Sequence, residues 1–352
     1  MKKAIVIGAG FSGLSAASFL AKSGWDVVVL EKHAVPGGRA RKIEVDGFMF
    51  DMGPSWYWMP DVFERYFNLF GKKVSDFYTL RRLDPSYRIY YSDGITDIPA
   101  DYGQLKALFE SLEPGAGKKL DRFIDEAKYK YEVGINKLVH KPGRSLREFA
   151  DTEVAMGVLK LDVFTNMKKH VGSFFKHPKL QQLMEFPVLF LGALAQKIPA
   201  LYSLMNYADI KLGTWYPQGG MYEIVKAMHQ TAVDQGVKFF FEHEVTGIDV
   251  RNKRANKVLA RRDQDGPEFE FEADVVVGSA DYHHVENALL KPNERSYDEK
   301  YWNSRLMAPS CLLYYIGINK KLEGVNHHSL FFDVDFDAHG KEIYEEPNWP
   351  AE

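Results

Sequence analysis

A glycine pattern near the start of the chain constrains the fold more than any other sequence feature. Gly8, Gly10 and Gly13 fall where an apolar run, Lys3 to Gly8, is followed by a segment with apolar residues at helical spacing, Ser12 to Ser23. In a strand, turn and helix unit, the first glycine allows the tight turn and the second lets the backbone approach a pyrophosphate. The third lets helix and strand pack closely. The pattern predicts a dinucleotide-binding unit.

A second strand-like run, Asp26 to Leu30, completes a βαβ unit, and Glu31 follows it. An acid at that position can accept hydrogen bonds from an adenosine ribose, while the pyrophosphate lies on the helix N-terminus beside Phe11 and Ser12. Three glycines alone are a weak signal, because ordinary turns use them too. Strand, helix and acid all fall where the mechanism requires them, but the pattern does not distinguish NAD from FAD.

The segments after Glu31 make that distinction. Lys32 is followed by Gly37-Gly38-Arg39 and then by FDMGPS, residues 50–55. These stretches resemble the second and third FAD motifs of the superfamily of amine oxidases, protoporphyrinogen oxidase and carotenoid desaturases. Gly-Gly-Arg by itself would be an ordinary surface loop. The resemblance implies an FAD cofactor, with Arg39 beside the diphosphate and the Gly53-Pro54 turn beside the flavin ring.

Two later segments agree with this assignment. Residues 216–221, YPQGGM, resemble the family's Y-P-x-G-G-M turn before a helix, and Val245 matches a strand position whose backbone meets the adenine. Val245 could equally belong to any buried strand. The cofactor-binding residues that we predict are Gly8, Gly10, Phe11, Ser12, Gly13, Glu31, Lys32, Gly38, Arg39, Gly53, Pro54, Ser55 and Val245.

The expected fold class is α/β: an FAD-binding Rossmann-like (two-dinucleotide-binding) domain with an inserted α+β substrate domain. The first domain is predicted to comprise residues 1–59 and 212–290, and the second, mostly helical and rich in aromatic residues, 60–211 and 291–352. Local patterns predict hairpins at Asp46-Gly47 and Asp93-Gly94, and a helix from Gly220 to Gly236. They also predict a parallel strand, Val237 to Phe241, then a small meander that ends with ADVVVGS, residues 273–279, and a central strand at 312–318, LLYYIGI.

Within the superfamily, the chain most resembles bacterial phytoene desaturases, judged by the N-terminal motifs, the YPQGGM turn and the late segment at 313–317. The resemblance implies that a hydride passes from an allylic carbon to flavin, extending a conjugated polyene. It also implies an apolar isoprenoid or carotenoid substrate, and quinone or oxygen as electron acceptor. Asp51 and Glu223 could accept a proton, but proximity to motifs is their sole support, so no catalytic residue is assigned.

Two alternatives stay open: a soluble amine oxidase with a polar substrate, and a residual FAD-binding module without activity. Family members are longer and carry a C-terminal glycine-rich segment that nothing between Ala288 and Glu352 matches. The sequence therefore predicts a truncated chain in which the adenine half of the cofactor binds but flavin retention and turnover are impaired.

A run of ten uncharged residues, 186–195 (FPVLFLGALA), is too short to span a bilayer. Lysines precede it at 168, 169, 176 and 179, which suits a segment resting on anionic headgroups. A buried core helix explains the run equally well. We expect a cytoplasmic protein with peripheral contact at the inner face of the plasma membrane as one possibility. The lysine-containing N-terminus is interpreted as mature structure rather than a signal peptide, because its glycine spacing serves no purpose there.

Composition excludes other classes. The net charge is −3, with basic and acidic residues interspersed, so no nucleic-acid role is assigned. One cysteine, Cys311, can form neither an intrachain disulfide nor a zinc site. His283-His284 and His327-His328 are adjacent pairs, interpreted as solvated or capping residues rather than metal ligands. Residues 56–58, Trp-Tyr-Trp, fit either a substrate tunnel or the core.

Overall fold

The computed structural model describes residues 1–141, 145, 161–305, 308, 310–346 and 349. The chain divides into two compact units, the first made of residues 1–57, 61–81 and 216–307, and the second of 58–60, 82–215 and 308–352. Residues 61–81 and 291–307 thus belong to the first unit although the sequence assigns them to the second domain, and residues 58–59 and 212–215 differ in the opposite sense. The roles assigned to the two domains stay predictions.

The first unit is built on the predicted βαβ element. Strand β1 (Lys3–Ile7) and strand β2 (Asp26–Leu30) are buried apolar runs that pair in parallel, joined by helix α1 (Phe11–Lys22). The helix ends before Gly24, whose φ of +85° suits glycine and reverses the chain into β2. Short apolar runs bounded by glycines therefore give the predicted elements within one residue at each end.

Two later strands, β9 (Lys238–Phe240) and β13 (Val275–Gly278), extend this sheet in the order β13-β1-β2-β9, and every pairing is parallel. Strand β9 (Lys238–Phe240) pairs in parallel with β2, which confirms the parallel strand predicted at Val237 to Phe241; its neighbour in the sheet was not predicted. Strand β13 (Val275–Gly278) lies beside β1, so its assignment to the meander was wrong. Its run of three valines fits a strand within a parallel sheet, where alternation with polar residues disappears.

The meander itself has three antiparallel strands, β10 (Glu244–Arg251), β11 (Arg254–Arg261) and β12 (Glu268–Glu272). It contributes Ile248 and Val258 to an apolar core shared with Ile5 and Leu30 of the parallel sheet. Burial between the meander and the parallel strands therefore fixes the position of the segment that carries Val245.

The hairpin of β3 (Lys42–Val45) and β4 (Phe48–Asp51) confirms the Asp46-Gly47 prediction. Both turn residues have positive φ, 50° and 81°, as a two-residue turn with the twist of a hairpin requires. The remaining helices of the first unit are Pro60–Asn68, Tyr222–Asp234, Tyr282–His284 and Glu299–Asn303, with 3-10 turns at Gly38–Ala40, Val74–Asp76 and Pro292–Glu294 and a π-helical turn at Val285–Leu289.

The second unit is mostly helical around a three-stranded sheet, ordered β14 (Ser329–Phe332), β6 (Tyr87–Tyr91) and β7 (Gly94–Ile98). Tyr91 pairs with Gly94, so the hairpin turns at residues 92–93 rather than at Asp93-Gly94. Most residues of a separate two-stranded sheet, formed by β5 (Leu80–Arg82) and β8 (Trp215–Pro217), belong to the first unit. The helices are Tyr102–Leu112, Ala116–Val133, Met167–Phe174, Pro178–Glu185, Leu204–Tyr207 and Phe336–Gly340, with 3-10 or π turns at Gly134–Leu138, Phe186–Leu191, Ala200–Ser203, Ala208–Leu212 and Lys341–Glu345.

The strand predicted at residues 312–318 does not form. The segment is irregular, and its apolar side chains are largely exposed, with Tyr314 at 76% and Ile316 at 70%. A strand is stable when a neighbouring strand pairs with its N–H and C=O groups, and the described residues place none beside this segment. The segment has the apolar pattern of a strand, but among the described residues no strand pairs with it.

The uncharged run at 186–195 fits part of each expectation, because some of its side chains are buried and others are exposed. It begins as a 3-10 turn in which Phe186 and Val188 are buried, while Phe190 and Leu191 are 55% and 42% exposed. It is therefore neither a helix lying on a surface nor a fully buried core helix. Among the described residues, no helix is long and apolar enough to cross a membrane.

Candidate functional site

A cavity of about 950 Å³ opens in the first unit, where β1, β2 and β13 end at their carboxyl termini. That edge of a parallel sheet is where ligands bind in open α/β folds. The volume lies near the upper end of the range for ligand pockets, about 300–1,000 Å³. The lining residues are Ile7, Gly8, Gly10, Phe11, Ser12, Leu30, Glu31, Lys32, His33, Gly37, Gly38, Arg39, Ala40, Arg41, Pro54, His243, Glu244, Val245, Ser279, Ala280, Asp281, His284 and Leu289.

The three glycines of the first turn have distinct geometries. Gly8 has a φ of +96°, which the turn out of β1 requires. A Cβ atom on Gly13 would lie 1.9 Å from the carbonyl oxygen of Gly8, so the helix can pack on the strand only without a side chain there. Gly10 lines the cavity, and a Cβ there would meet nothing closer than the Cα of Gly38, at 3.9 Å. Space beside Gly10 is left for a ligand.

The N-terminus of α1 faces this space. Gly10 occupies the N-cap, no side chain of the described residues caps the helix, and its first turn holds no acid. The first N–H groups of a helix lack intrahelical acceptors and carry positive partial charge. The helix end, with Phe11 and Ser12 in the cavity wall, therefore has the geometry and partial charge that suit an anion. The Ser12 hydroxyl lies 2.6 Å from that of Ser279, at the end of β13.

Glu31 is buried directly after the carboxyl end of β2, and hydrogen bonds hold its carboxylate in place. Its Oε2 accepts the N–H of Ala9 at 2.8 Å, and its Oε1 accepts the N–H of His33 at 2.9 Å. A carboxylate offers about four lone-pair sites, so these two bonds leave capacity for further donors. Because Glu31 also lines the cavity, its geometry suits acceptance of ribose hydroxyls, the role that the sequence predicted.

The second and third motifs pack against the first. Gly38 has a φ of +55°, and a Cβ there would lie 3.2 Å from the Cα of Gly10. Gly53 has a φ of +116°, and a Cβ there would lie 2.7 Å from the carbonyl oxygen of Arg39. These close backbone approaches align the three motifs along one wall, with Pro54 lining the cavity. The glycine turns and the uncapped helix thus form a cradle that fits an FAD diphosphate.

Most of the predicted cofactor residues come together in this cavity. Gly13, Gly53 and Ser55 are the exceptions, since none of them lines it. Gly13 and Gly53 act through backbone packing, as their notional Cβ contacts show. The assignment of each residue to a part of FAD stays a prediction.

Several lining residues were not predicted from sequence: His33, Arg41, His243, Ser279, Asp281 and His284. Ser279 and Asp281 follow the carboxyl end of β13, so recognising β13 as a parallel strand would have located them. Burial, and then Arg41, lowers the pKa of His33. The cavity lining also includes Lys32, Arg39 and Arg41, whose positive charges favour an anionic ligand.

Other residues weighed from sequence have structural roles. Tyr57 is buried, packs on Phe63 with ring centroids 4.7 Å apart, and lies with its hydroxyl 3.0 Å from that of Tyr78, which places it in the core. In the second unit, Trp58 donates its indole N–H to Thr214 at 2.8 Å. The expectation of a tunnel wall at residues 56–58 is untested.

The remaining acids and histidines also have assigned positions. Glu223 forms an ion pair with Lys226 at 2.5 Å. His283, His284 and His327 are exposed, as expected, whereas His328 is buried, so its interpretation as solvated was wrong. Its ring packs against that of its neighbour, with centroids 4.5 Å apart.

One cluster with metal-ligand chemistry occurs among the described residues, formed by Glu126, Asp162 and His170 in the second unit. The buried ammonium group of Lys130 lies 2.8 Å from Asp162 and 3.4 Å from His170 Nε2. Burial, and then Lys130, lowers the pKa of His170 to about 4. The lysine supplies a cation beside Asp162, so the cluster is an ion-pair network in which Lys130 and His170 are buried and the acids are partly exposed.

Comparisons with known proteins agree with this geometry. The family described as flavin containing amine oxidoreductase matches residues 11–312. The chain is 42% identical to a carotenoid 3,4-desaturase of Haloarcula japonica, covering 98% of this chain and 69% of that protein. It is 30% identical to a zeta-carotene-forming phytoene desaturase of Myxococcus xanthus, covering 98% and 65%.

Among solved structures, putrescine oxidase bound to putrescine matches with a TM-score of 0.53 at 19% identity, covering 84% of this chain and 60% of that one. At that identity the likeness shows the fold alone. The chain spans about two thirds of the length of the curated relatives it matches.

Proposed function

Because the chain belongs to the flavin-containing amine oxidoreductase family, we propose that it is an FAD-dependent desaturase acting on a carotenoid precursor, a phytoene-like polyene. Family membership confirms the expected α/β FAD-binding fold, the FAD cofactor and the class of flavin-dependent oxidoreductases related to carotenoid desaturases. One observation carries the choice of reaction: the match to a carotenoid 3,4-desaturase extends over 98% of the chain at 42% identity.

The residues of the cavity fit the cofactor as follows. N–H groups at the start of α1 bind the diphosphate beside Gly10, with Arg39 and Lys32 adding positive charge. Glu31 accepts hydrogen bonds from the ribose, and the backbone at Val245 borders the adenine. The Gly53-Pro54 turn orients the flavin ring. When bound, FAD supplies the hydride acceptor. The protein positions an apolar substrate and excludes water.

The amine oxidase alternative is less favoured. The relatives named as carotenoid or phytoene desaturases are 30% and 42% identical to the chain, whereas the likeness to putrescine oxidase is at 19%. A direct comparison separates the two reactions: the purified holoprotein is given either putrescine, with hydrogen peroxide release as the readout, or a carotenoid in detergent. Peroxide release without polyene conversion would establish the amine oxidase instead.

Co-expression in a phytoene-producing host tests the proposed reaction. Pigments are extracted and separated, and their absorption bands are compared with those from a host carrying the Glu31→Gln chain. We expect absorption at longer wavelength with the unchanged chain alone, since each added double bond extends the conjugated system. Unchanged phytoene in cells that contain the FAD-loaded protein would refute desaturation and leave the non-enzymatic FAD-binding module.

We further propose that the second unit contacts the inner face of the plasma membrane peripherally, through Phe190 and Leu191. Their exposed apolar side chains support this proposal. The lysines support it less, because Lys168 is paired with Asp337 and Lys179 with Asp93. Liposome flotation of Phe190→Glu should show reduced membrane association. Val233→Glu, a change at a 42%-exposed apolar residue of the first unit, is the control. Equal flotation of both variants and the unchanged chain would contradict the proposal.

The proposed electron acceptor is quinone or oxygen, by family likeness. The reduced holoprotein, prepared anaerobically, is mixed with air-saturated buffer or with a soluble quinone, and recovery of the oxidised flavin band is followed. Recovery with neither acceptor would exclude both.

A further inference from the structure

A carboxylate in the first unit joins two segments that are far apart in sequence. Asp51, the last residue of β4, accepts with Oδ2 the N–H of Met221 at 3.0 Å and the hydroxyl of Tyr216. Burial, and then Asp51, raises the pKa of Tyr216, so its phenol stays protonated and donates. The FDMGPS and YPQGGM segments, each recognised separately as a motif, are therefore held together by one oxygen atom.

The backbone beside this junction is shaped to admit the carboxylate. Gly219 and Gly220 have φ angles of +96° and +102°, and a Cβ on Gly220 would lie 3.1 Å from Asp51 Oδ1. Met221 is the N-cap of helix Tyr222–Asp234, so Asp51 satisfies an N–H at the helix entrance. Its negative charge also lies at the favourable end of the helix dipole.

From Asp51 the chain leads directly into the cavity wall. The N–H of Met52 donates to the carbonyl of Arg41 at 2.8 Å, and Gly53 packs on the carbonyl of Arg39. Pro54 then lines the cavity. The Gly53-Pro54 turn is thus fixed on one side by the Gly-Gly-Arg loop and on the other, through Asp51, by the start of a buried helix.

We propose that Asp51 is a positioning residue for the cofactor: its hydrogen bonds to Tyr216 and Met221 hold the Gly53-Pro54 turn in place against the flavin part of FAD. The inference rests on the proposed FAD site and deepens it. Asp51 acts through the turn. Its Oδ2 accepts two donors on another segment, and these two hydrogen bonds carry the positioning role.

Binding of FAD and of ADP to the purified chain tests this role, because ADP lacks the flavin part. Asp51→Ala removes both hydrogen bonds and should weaken FAD binding about tenfold while leaving ADP binding unchanged. Asp51→Asn keeps a carbonyl oxygen that can accept both donors, so it should restore FAD affinity to within about threefold of the unchanged chain. Tyr216→Phe removes one donor and should give an intermediate loss. The visible band of bound flavin should change shape in Asp51→Ala.

Each other outcome counts against the inference. Equal FAD affinity and an identical flavin spectrum in Asp51→Ala would show that the junction does not position the cofactor. Parallel losses of ADP and FAD binding would show a general structural role, as would a failure of Asp51→Asn to restore affinity. An unchanged chain that binds ADP but not FAD would overturn both the inference and the proposed FAD-dependent activity. If it binds neither, the proposed FAD site fails first.

Discussion

The contact between Gly13 and Gly8 makes a quantitative prediction for Gly13→Ala. The added Cβ would lie 1.9 Å from the Gly8 carbonyl oxygen, whereas ordinary contacts begin at 3.4 Å. Helix α1 would therefore have to move by about 1.5 Å away from β1, because both groups are backbone or bound directly to it. Leu14 and Ala17, fully buried on the same helix, would lose part of their packing as it moved.

The expected loss follows from the cost of overpacking a well-packed core, about 1–3 kcal/mol. A displaced helix backbone belongs at the upper end, so we expect the free energy of unfolding to fall by about 3 kcal/mol. For a domain of about 150–250 residues, that corresponds to a decrease in Tm of roughly 6–12 °C.

Gly10→Ala is the matched control in the same turn. Gly10 has an ordinary φ of −76°, and its added Cβ would lie 3.9 Å from the nearest atom. Stability without ligand should change by less than about 0.5 kcal/mol. The methyl group would nevertheless enter the space that the pyrophosphate approaches, so FAD affinity should fall about tenfold. Urea unfolding and FAD titration of both variants give the answer. A Gly13→Ala chain as stable as the unchanged one refutes the packing argument, and a Gly10→Ala chain with full affinity refutes the close approach.

Three further predictions concern single side chains. Glu31→Gln places an amide N–H₂ against one of the two backbone donors, so ADP affinity by calorimetry should fall about tenfold to a hundredfold. Unchanged affinity would contradict the assignment of Glu31 to the ribose. Burial raises the pKa of Glu185 from 4.5 to about 7. The contribution of this carboxyl group to the free energy of unfolding is therefore fully present below pH 4.5 and is lost as the pH rises through 7. Glu185→Gln should match the unchanged chain near pH 4 and exceed its free energy of unfolding by about 3 kcal/mol at pH 8, whereas a pH-independent difference would be a refutation. Gly213→Ala, at a φ of +88° with its Cβ 1.0 Å from Arg82 Nη1, should cost about 2–4 kcal/mol in urea unfolding through backbone strain and loss of the Arg82 hydrogen bonds; a loss below about 1 kcal/mol would contradict this.

Local sequence patterns predicted the cofactor end of the first unit well. The βαβ element and the Asp46-Gly47 hairpin depend on short-range rules, namely glycine conformations and apolar runs, which act within a few residues. Packing of Gly13 on Gly8 involves neighbours in a single turn. Such features need no knowledge of the rest of the fold.

Features that depend on distant partners were harder to predict. Strand β13 carries a run of three valines that fits either a meander or a parallel sheet, and only its pairing with β1 decides between them. The error hid Ser279 and Asp281, since a residue at the carboxyl end of a parallel strand is a candidate ligand contact and one in a meander is not. Likewise, Asp51 was recognised as an acid near a motif, but its contact with Met221, 170 positions away, is a property of the fold.

The segment at 312–318 also shows that a strand depends on a partner that local sequence does not reveal. Its leucine, tyrosine and isoleucine residues have high β-propensity, yet propensity in strands largely reflects packing on neighbours. An apolar run therefore specifies a strand only where a sheet edge is available to it. In the described residues no such edge lies beside this segment, and side chains such as Tyr314 stay exposed although their sequence favours burial. The packing of Gly13 on Gly8 has no such dependence, because both residues lie in the same turn. That difference explains why the βαβ element could be predicted from sequence while the fate of the segment at 312–318 could not.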